Sequence, residues 1–286
     1  MTSLRRLALS TLSRVPWVYL NVVSWRANRH IARVERGWEC DRVARDVIAQ
    51  IGAARCIAGP FRNVELPRET WTRHISPKLL GTYESELHAT LEACCARRYR
   101  RVIDIGAADG FYAAGLAMRL GQRVVAFEAD PWQRYVIRRT AAVNRADVDV
   151  RGPATVRSVA RVVEPGSLLL CDCEGAEDAL LDPLAIPGLA RCDLVVEVHD
   201  AFVPGVAERL RRRFHATHDI REIPAEPEKR PPGAIAALAP ADRALAVREH
   251  RAGGCAWMVF ETRMQLTEWT ETTARNGATE QRRDRR

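Results

Sequence analysis

Nine residues constrain this chain more than any others: Val102-Ile-Asp-Ile-Gly-Ala-Ala-Asp-Gly110. The first four form a short apolar run interrupted only by Asp104, the pattern of a strand buried on both faces. Gly106 and Gly110 follow, and then Phe111 to Leu120 runs as a helix stopped by Gly121. A buried strand that passes through a glycine turn directly into a helix is the opening unit of a wound α/β sheet. Glycines at that turn permit both the tight bend and a close approach of backbone to a ligand.

The pattern then repeats. Val124-Val-Ala-Phe127 reads as a second strand, and Asp130-Pro131 opens the next helix, with Asp130 as N-cap and Pro131 at its first position. Val148-Asp-Val150, Leu168-Leu-Leu-Cys171 and Leu194-Val-Val196 give three more strands, and Ile220–Ile223 and Cys255–Phe260 the last two. Short apolar strands alternating with helices imply a mostly parallel sheet with helices on both faces. The expected fold is a Rossmann-like α/β sheet with an antiparallel last strand and a helical N-terminal extension.

Upstream, Ile31, Val34, Trp38, Val43, Val47, Ile48 and Ile51 recur at helical spacing, so residues 1 to about 58 are expected to be helical, ending at Gly59-Pro60. Residues 60–82 read as a connector, and Tyr83–Arg98 as an amphipathic helix with Leu87, Leu91 and Cys94 on one face. Val15–Ser24 is apolar but bracketed too closely by Arg14 and Arg26 to cross a bilayer, and no signal-peptide cleavage site follows it. The expected division is a helical extension and connector over 1–78, the α/β domain over 79–263 and a polar, flexible tail over 264–286. A Pro-rich linker is expected between the last two strands, around Pro224, Pro227, Pro231 and Pro232.

Composition excludes some classes. The eight cysteines include no CxxC pair, and Cys171 and Cys173 alternate along an apolar run, so reduced thiols in a cytoplasmic protein are expected rather than a disulfide frame or a zinc ribbon. The net charge of +8 is carried almost wholly by arginine, Lys78 and Lys229 being the only lysines. That bias follows a GC-rich coding sequence. The run Arg209–Arg213 lacks the interleaved aromatics of a base-stacking surface, so nucleic acid is not the expected partner.

The glycine loop identifies a kind of ligand. A dinucleotide fingerprint needs glycines where this chain has Ala108 and Phe111. What remains, DxGxxxG, suits a ligand with no phosphate. Asp104 can face the amino group of a methionine moiety, and the backbone of Gly106 and Ala107 can pack along it. Glu128, ending the second strand with Ala129 beside it, can accept hydrogen bonds from both ribose hydroxyls. Together Asp104, Gly106, Ala107, Gly110, Glu128 and Ala129 point to S-adenosyl-L-methionine.

At these residues a family resemblance becomes visible. Ile103-Asp-Ile-Gly-Ala107 followed by Ala126-Phe-Glu-Ala-Asp-Pro131 resembles class I methyltransferases. Cys171-Asp-Cys-Glu-Gly-Ala-Glu177 resembles the D-x-E-G-A-E signature of the FkbM-like group, and Gly81-Thr-Tyr-Glu84, Asn144 and Val195-Val-Glu-Val-His199 are similar to that group's pattern. The resemblance covers about residues 79–202. Residues 1–70 and 224–254 resemble nothing nameable. The resemblance implies methyl transfer, commonly to a hydroxyl of a sugar or natural product, on a class I methyltransferase sheet.

Candidate catalytic groups lie at the carboxyl ends of the fourth and fifth strands, the ligand edge of an open α/β sheet. Asp172 and Glu174 share parity there, Asp172 also being a candidate for cofactor binding. Glu197 and His199 share parity on the next strand, with His199 the expected general base and Glu197 its acidic partner. Glu177 reads equally as a cap of the helix that follows it. Asp172, Glu197 and Asp200 are a possible Mg²⁺ set, the metal remaining open. A small-molecule acceptor is the leading expectation. The alternatives are an RNA methyltransferase, against which the Asp-Cys-Glu-Gly at the fourth strand's end argues, and a cofactor-binding protein without catalysis. Oligomeric state is not legible.

Overall fold

The structure, a computed structural model, describes residues 40–71, 75–226, 228–249 and 256–263. The expected helices around Val15–Ser24 and Ile31–Trp38, the tail from 264 and the residues Pro227 and Cys255 lie outside the described residues.

Helix α1 (Cys40–Ile51) is followed by α2 (Ile75–Leu80) and α3 (His88–Cys95). The sheet domain then runs β1 (Val102–Ile105), α4 (Phe111–Leu120), β2 (Val124–Phe127), α5 (Pro131–Asn144), β3 (Val148–Arg151), α6 (Val156–Ala160), β4 (Leu168–Cys171), α7 (Glu177–Leu180), β5 (Asp193–Val198), α8 (Val206–Phe214), β6 (His218–Pro224), α9 (Pro240–Ala246) and β7 (Ala256–Thr262). The seven strands lie in the order β3-β2-β1-β4-β5-β7-β6. The first five are parallel, and β7 is antiparallel to both β5 and β6. The fold expected from the strand–helix alternation is therefore the one observed.

Alternation along the strands explains the layering. Val102, Val124, Ala126, Leu168 and Leu170 face one core, shared with α1, α3, α4 and α5 through Val47, Leu91, Leu116 and Ile137. Ile103, Val125, Phe127, Leu169, Cys171 and Val196 face the other, shared with α6, α7 and α8 through Val159, Leu180, Leu210 and Phe214. Successive side chains point to opposite faces, so strands of four residues serve two cores at once. Asp104 belongs by parity to the first face, a lone acid in an apolar row.

Register places the site. Ile105 pairs with both Phe127 and Cys171, and Cys171 with Val196. The strand ends are level, so Gly106, Glu128 and Asp172 leave the sheet side by side. The chain winds outward from β1 to β3 and then returns to place β4 on β1's other side. The crevice between β1 and β4 is thus the topological switch point, where such sheets bind ligands.

Several boundaries differ from expectation. The first helical run ends at Ile51, not Gly59, because Gly52 takes φ +80° and the chain turns into an antiparallel bridge between Arg55 and Glu65. The connector contains α2, which tolerates Pro77 because Pro77 sits in its first turn, where no intrahelical amide is needed. The helix expected from Tyr83 starts only at His88, after a 3₁₀ turn over Ser85–Leu87, with Leu87, Leu91 and Cys94 buried as anticipated. The Pro-rich segment carries α9 and buries Ile235, Ala246 and Val247 in the first core, so its described part is packed structure rather than linker. Cys56, Cys94, Cys171 and Cys192 are buried free thiols. No helix among the described residues is long and apolar enough to cross a membrane.

Candidate active site

The β1 loop is held by its neighbours. Gly106 has φ +85°, and a Cβ there would lie 1.6 Å from the Asp172 carbonyl oxygen, so the loop passes directly against the end of β4. This gives Gly106 a packing role that its sequence context did not reveal. Gly110 has φ +81°, and a Cβ would meet the Ile137 backbone at 3.0 Å, which sets the close approach of α4 to α5. Ala107 is buried, and Ala108 takes φ 45°. Its N–H donates to Glu128 Oε2 (2.9 Å), while Glu128 Oε1 accepts from Asp130 N–H (2.8 Å). Arg134 donates to the carbonyls of Glu128 and Ala129 at 3.0 and 2.7 Å. Glu128 thus clasps the two loops together, and burial raises its pKa against the pull of these amides.

Asp104 is the anomaly. Its side chain is 1% exposed, and neither carboxylate oxygen has a hydrogen-bond partner. Burial, then the charges of Glu128 and Asp109, push its pKa up to about 8 against the pull of the Ala113 amide, which lies too far or too oblique to make a hydrogen bond. A buried carboxyl without a donor is costly, and it is the group a ligand cation would satisfy.

The loop is braced from behind by residues that sequence reasoning missed. Lys78 Nζ lies 2.6 Å from Asp109 Oδ2, both side chains nearly buried, under the rings of Tyr83 and Phe111. Lys229, the other lysine, is buried against Glu86 and donates to Ser85 (2.9 Å). The available signal was composition, these being the only two lysines of an Arg-rich chain; that both sit in buried ion pairs is decided by the fold.

The second half of the site gathers at the ends of β4 and β5. The strand β4 stops at Cys171, so the parity argument for Asp172 and Glu174 fails. Glu174 instead takes φ 56° and Gly175 φ +100°, and this strained turn swings both carboxylates onto one imidazole. His199 Nε2 lies 3.6 Å from Asp172 Oδ1, 3.7 Å from Glu174 Oε2 and 3.8 Å from Glu197 Oε2. Its Nδ1–H donates to Glu177 Oε1 at 2.8 Å. Glu177 is fully buried and also accepts from the N–H groups of Cys173 and Gly175 (3.3 and 3.1 Å). It is the hydrogen-bond partner expected of Glu197, and it ties the turn together rather than capping the helix. The pKa of Asp172 is raised by burial and then by the charges of Glu174 and Glu84. Asp200 is turned away: its Oδ1 accepts Ala207 N–H (3.1 Å) at the start of α8, so it leaves the expected metal set.

Burial by itself would lower the pKa of His199. The Glu177 hydrogen bond, then the charges of Glu177, Glu197 and Glu174, reverse this and raise it to about 9. With a pKa of about 9 the ring carries both protons at neutral pH unless a ligand on Nε2 displaces one. Phe202 stacks on it, with ring centroids 5.6 Å apart.

Glu84 is the remaining unanticipated member. It is buried with φ 49°, and Tyr112 OH donates to it. Ala108, Glu174 and Glu84 are three of the five described non-glycine residues with positive φ, so backbone strain concentrates around this site. Beside Glu84 opens a polar cleft of about 620 Å³, lined by Gly81, Thr82, Ser85, Glu226, Glu228, Lys229 and Arg230. The run Arg209–Arg213 lies away from it, with Arg209 and Arg213 paired to Asp178 and Arg211 to Glu208 and Glu222.

No family model and no curated protein matches the chain in sequence. Among solved structures, the bifunctional kinase-methyltransferase WbdD is similar over 62% of this chain and 37% of its own, at 18% identity and TM-score 0.41. The Pyrococcus abyssi tRNA (uracil-54, C5)-methyltransferase in complex with S-adenosyl-L-homocysteine is similar over 62% and 38%, at 14% and 0.38. A Klebsiella pneumoniae protein assigned as an O-methyltransferase is similar over 82% and 97%, at 11% and 0.43. The chain thus spans well under half of WbdD. Likeness at this level carries no functional weight, and the site is read from its own geometry.

Proposed function

We propose that this chain is an S-adenosylmethionine-dependent methyltransferase acting on a hydroxyl of a small polar acceptor. The observation that carries the reading is Asp104: a buried carboxyl neither of whose oxygens has a hydrogen-bond partner, at the switch-point end of β1, beside a tight turn that Gly106 permits. An ammonium group is the complement such a carboxyl lacks. Glu128 keeps its backbone clasp while its remaining lone pairs suit two ribose hydroxyls, and Ala107, Gly110 and Ala129 let the chain pass close by. These residues fit the cofactor without a phosphate-binding element.

When bound, S-adenosylmethionine supplies a methyl group on a sulfonium, an electrophile that needs only an aligned nucleophile. Asp172, Glu174 and His199 form the polar wall that would orient the acceptor hydroxyl, with its proton passing to one of the two carboxylates. The cleft beside Glu84 offers hydroxyls and both signs of charge, which suits a polyhydroxylated acceptor such as a sugar or glycan. An acidic wall at the end of β4 disfavours a polyanionic nucleic acid. The test is calorimetry of S-adenosylhomocysteine binding, followed by transfer of labelled methyl from S-adenosylmethionine to pools of sugars, glycans and RNA. Failure to bind either cofactor form would sink the reading, and label in RNA alone would replace the acceptor.

A further inference from the structure

Four carboxyl groups, those of Asp172, Glu174, Glu177 and Glu197, surround the single imidazole of His199. Glu177 takes the Nδ1 proton, which aims Nε2 at the other three. The ring is 3% exposed, yet Nε2 makes no hydrogen bond, its carboxylate neighbours standing 3.6 to 3.8 Å away. Asp172 Oδ1, one of them, is buried and equally without a hydrogen-bond partner. Nε2 and the buried Asp172 Oδ1 therefore face a common point that nothing among the described residues fills.

One ligand atom from each of Asp172, Glu174 and His199 lies within 4.8 Å of the other two. A point equidistant from atoms so spaced is roughly 2.1–2.4 Å from each, the bond length of a first-row divalent ion to imidazole and carboxylate. We propose that Asp172, Glu174 and His199 bind one divalent transition-metal ion, with Glu177 orienting the imidazole from behind. The Glu177–His199 hydrogen bond is the arrangement in which metal-binding histidines are held, because it fixes the tautomer that leaves Nε2 free to coordinate. A nitrogen ligand selects manganese, iron or zinc over Mg²⁺, which prefers oxygen and retains its waters. The set differs from Asp172, Glu197 and Asp200, since it is Glu174 that offers a ligand atom within 4.8 Å of those of Asp172 and His199, and Asp200 accepts Ala207 N–H at the start of α8. The ion site stands without the methyl-transfer reading; only its role, holding an acceptor oxygen, rests on that reading.

The test uses the full chain after EDTA treatment and gel filtration. Mn²⁺ titration followed by electron paramagnetic resonance should show one ion per chain, with Mg²⁺ competing poorly. Asp172→Asn and Glu174→Gln should each weaken Mn²⁺ binding by roughly ten- to a hundredfold, and Glu177→Gln by about tenfold. Glu174 is 41% exposed, so its variant tests the site even where a substitution of His199 fails to fold. Co²⁺ loaded in place of Mn²⁺ should give visible d–d bands that change in His199→Gln. Absence of a stoichiometric Mn²⁺ signal, or equal affinity in folded Glu174→Gln and Asp172→Asn, overturns the proposal. Calorimetry with S-adenosylhomocysteine on the metal-free chain separates the two readings. Cofactor binding without Mn²⁺ binding refutes only the ion site, and Mn²⁺ binding without cofactor binding refutes only the methyltransferase.

Discussion

Replacing Asp104 by Asn should make the free protein more stable and its cofactor binding worse. The wild-type carboxyl has a pKa of about 8 in the fold against 3.8 as the reference value. Between those values the native state keeps a proton that the unfolded chain has released, so ionisation opposes folding and stability falls as pH rises. The contribution is intact below about pH 4 and fully lost above about pH 8. A shift of that size is worth roughly 6 kcal/mol at most, at about 1.4 kcal/mol per pH unit. Relaxation and water entry lower it, so we expect Asn to gain about 2–4 kcal/mol relative to Asp between pH 5 and pH 8. Urea unfolding of both proteins at pH 5, 6, 7 and 8 measures the difference, and subtraction cancels titrations that both share. A cationic ligand reverses the logic. Binding an ammonium beside Asp104 favours its ionised form, so wild-type affinity should rise with pH up to about 8, approaching tenfold per unit, with proton release visible as buffer-dependent heat. Asn at 104 should bind weakly with a flat pH profile. Parallel stability profiles for the two proteins would refute the buried, donor-less carboxyl. A variant that binds S-adenosylmethionine as tightly as wild type would refute its role.

Three further substitutions test the surrounding frame. Gly106→Ala drives a Cβ into the Asp172 carbonyl at a φ of +85° and should cost about 3 kcal/mol or more in denaturant unfolding; wild-type stability would mean that the loop does not rest on β4. Glu128→Ala removes the acceptor for Ala108 and Asp130 N–H and should weaken S-adenosylhomocysteine binding roughly 10- to 100-fold in a folded protein, read by calorimetry; unchanged affinity removes Glu128 from the site. Lys78→Met strands a buried Asp109 and should destabilise by about 3–5 kcal/mol, while Lys78→Met with Asp109→Leu should recover much of that; equal melting of single and double variants would deny the coupling.

The sequence by itself determined the sheet and the placing of Asp104, Gly106 and Glu128 along one edge of it. The strands β1, β2 and β4 begin and end where their apolar runs do, because a strand buried on both faces is apolar almost throughout, Asp104 being the exception in β1. Asp104, Gly106 and Glu128 lie at the ends of two such strands, and level strand ends in a parallel sheet leave no other place for them than one crevice. Asp130 capping α5 was legible for a similar local reason: its side chain accepts the N–H of Trp132 two residues on. The second half of the site was decided only in three dimensions. Strand periodicity put Asp172 and Glu174 on a strand that ends before either of them, and the turn that directs them is set by backbone at φ 56° and +100°. The partner of His199 is Glu177, 22 residues away and buried, not the nearer Glu197. The tertiary fold also moved the His199 pKa. An imidazole alone titrates near neutrality, and it is the convergence of carboxylates from the turn after β4, from α7 and from β5 that raises this one. Lys78 and Glu84 joined the site from before β1 because packing, not spacing, brings them there. Local chemistry is written in neighbours along the chain, whereas electrostatics depends on distances that only folding fixes.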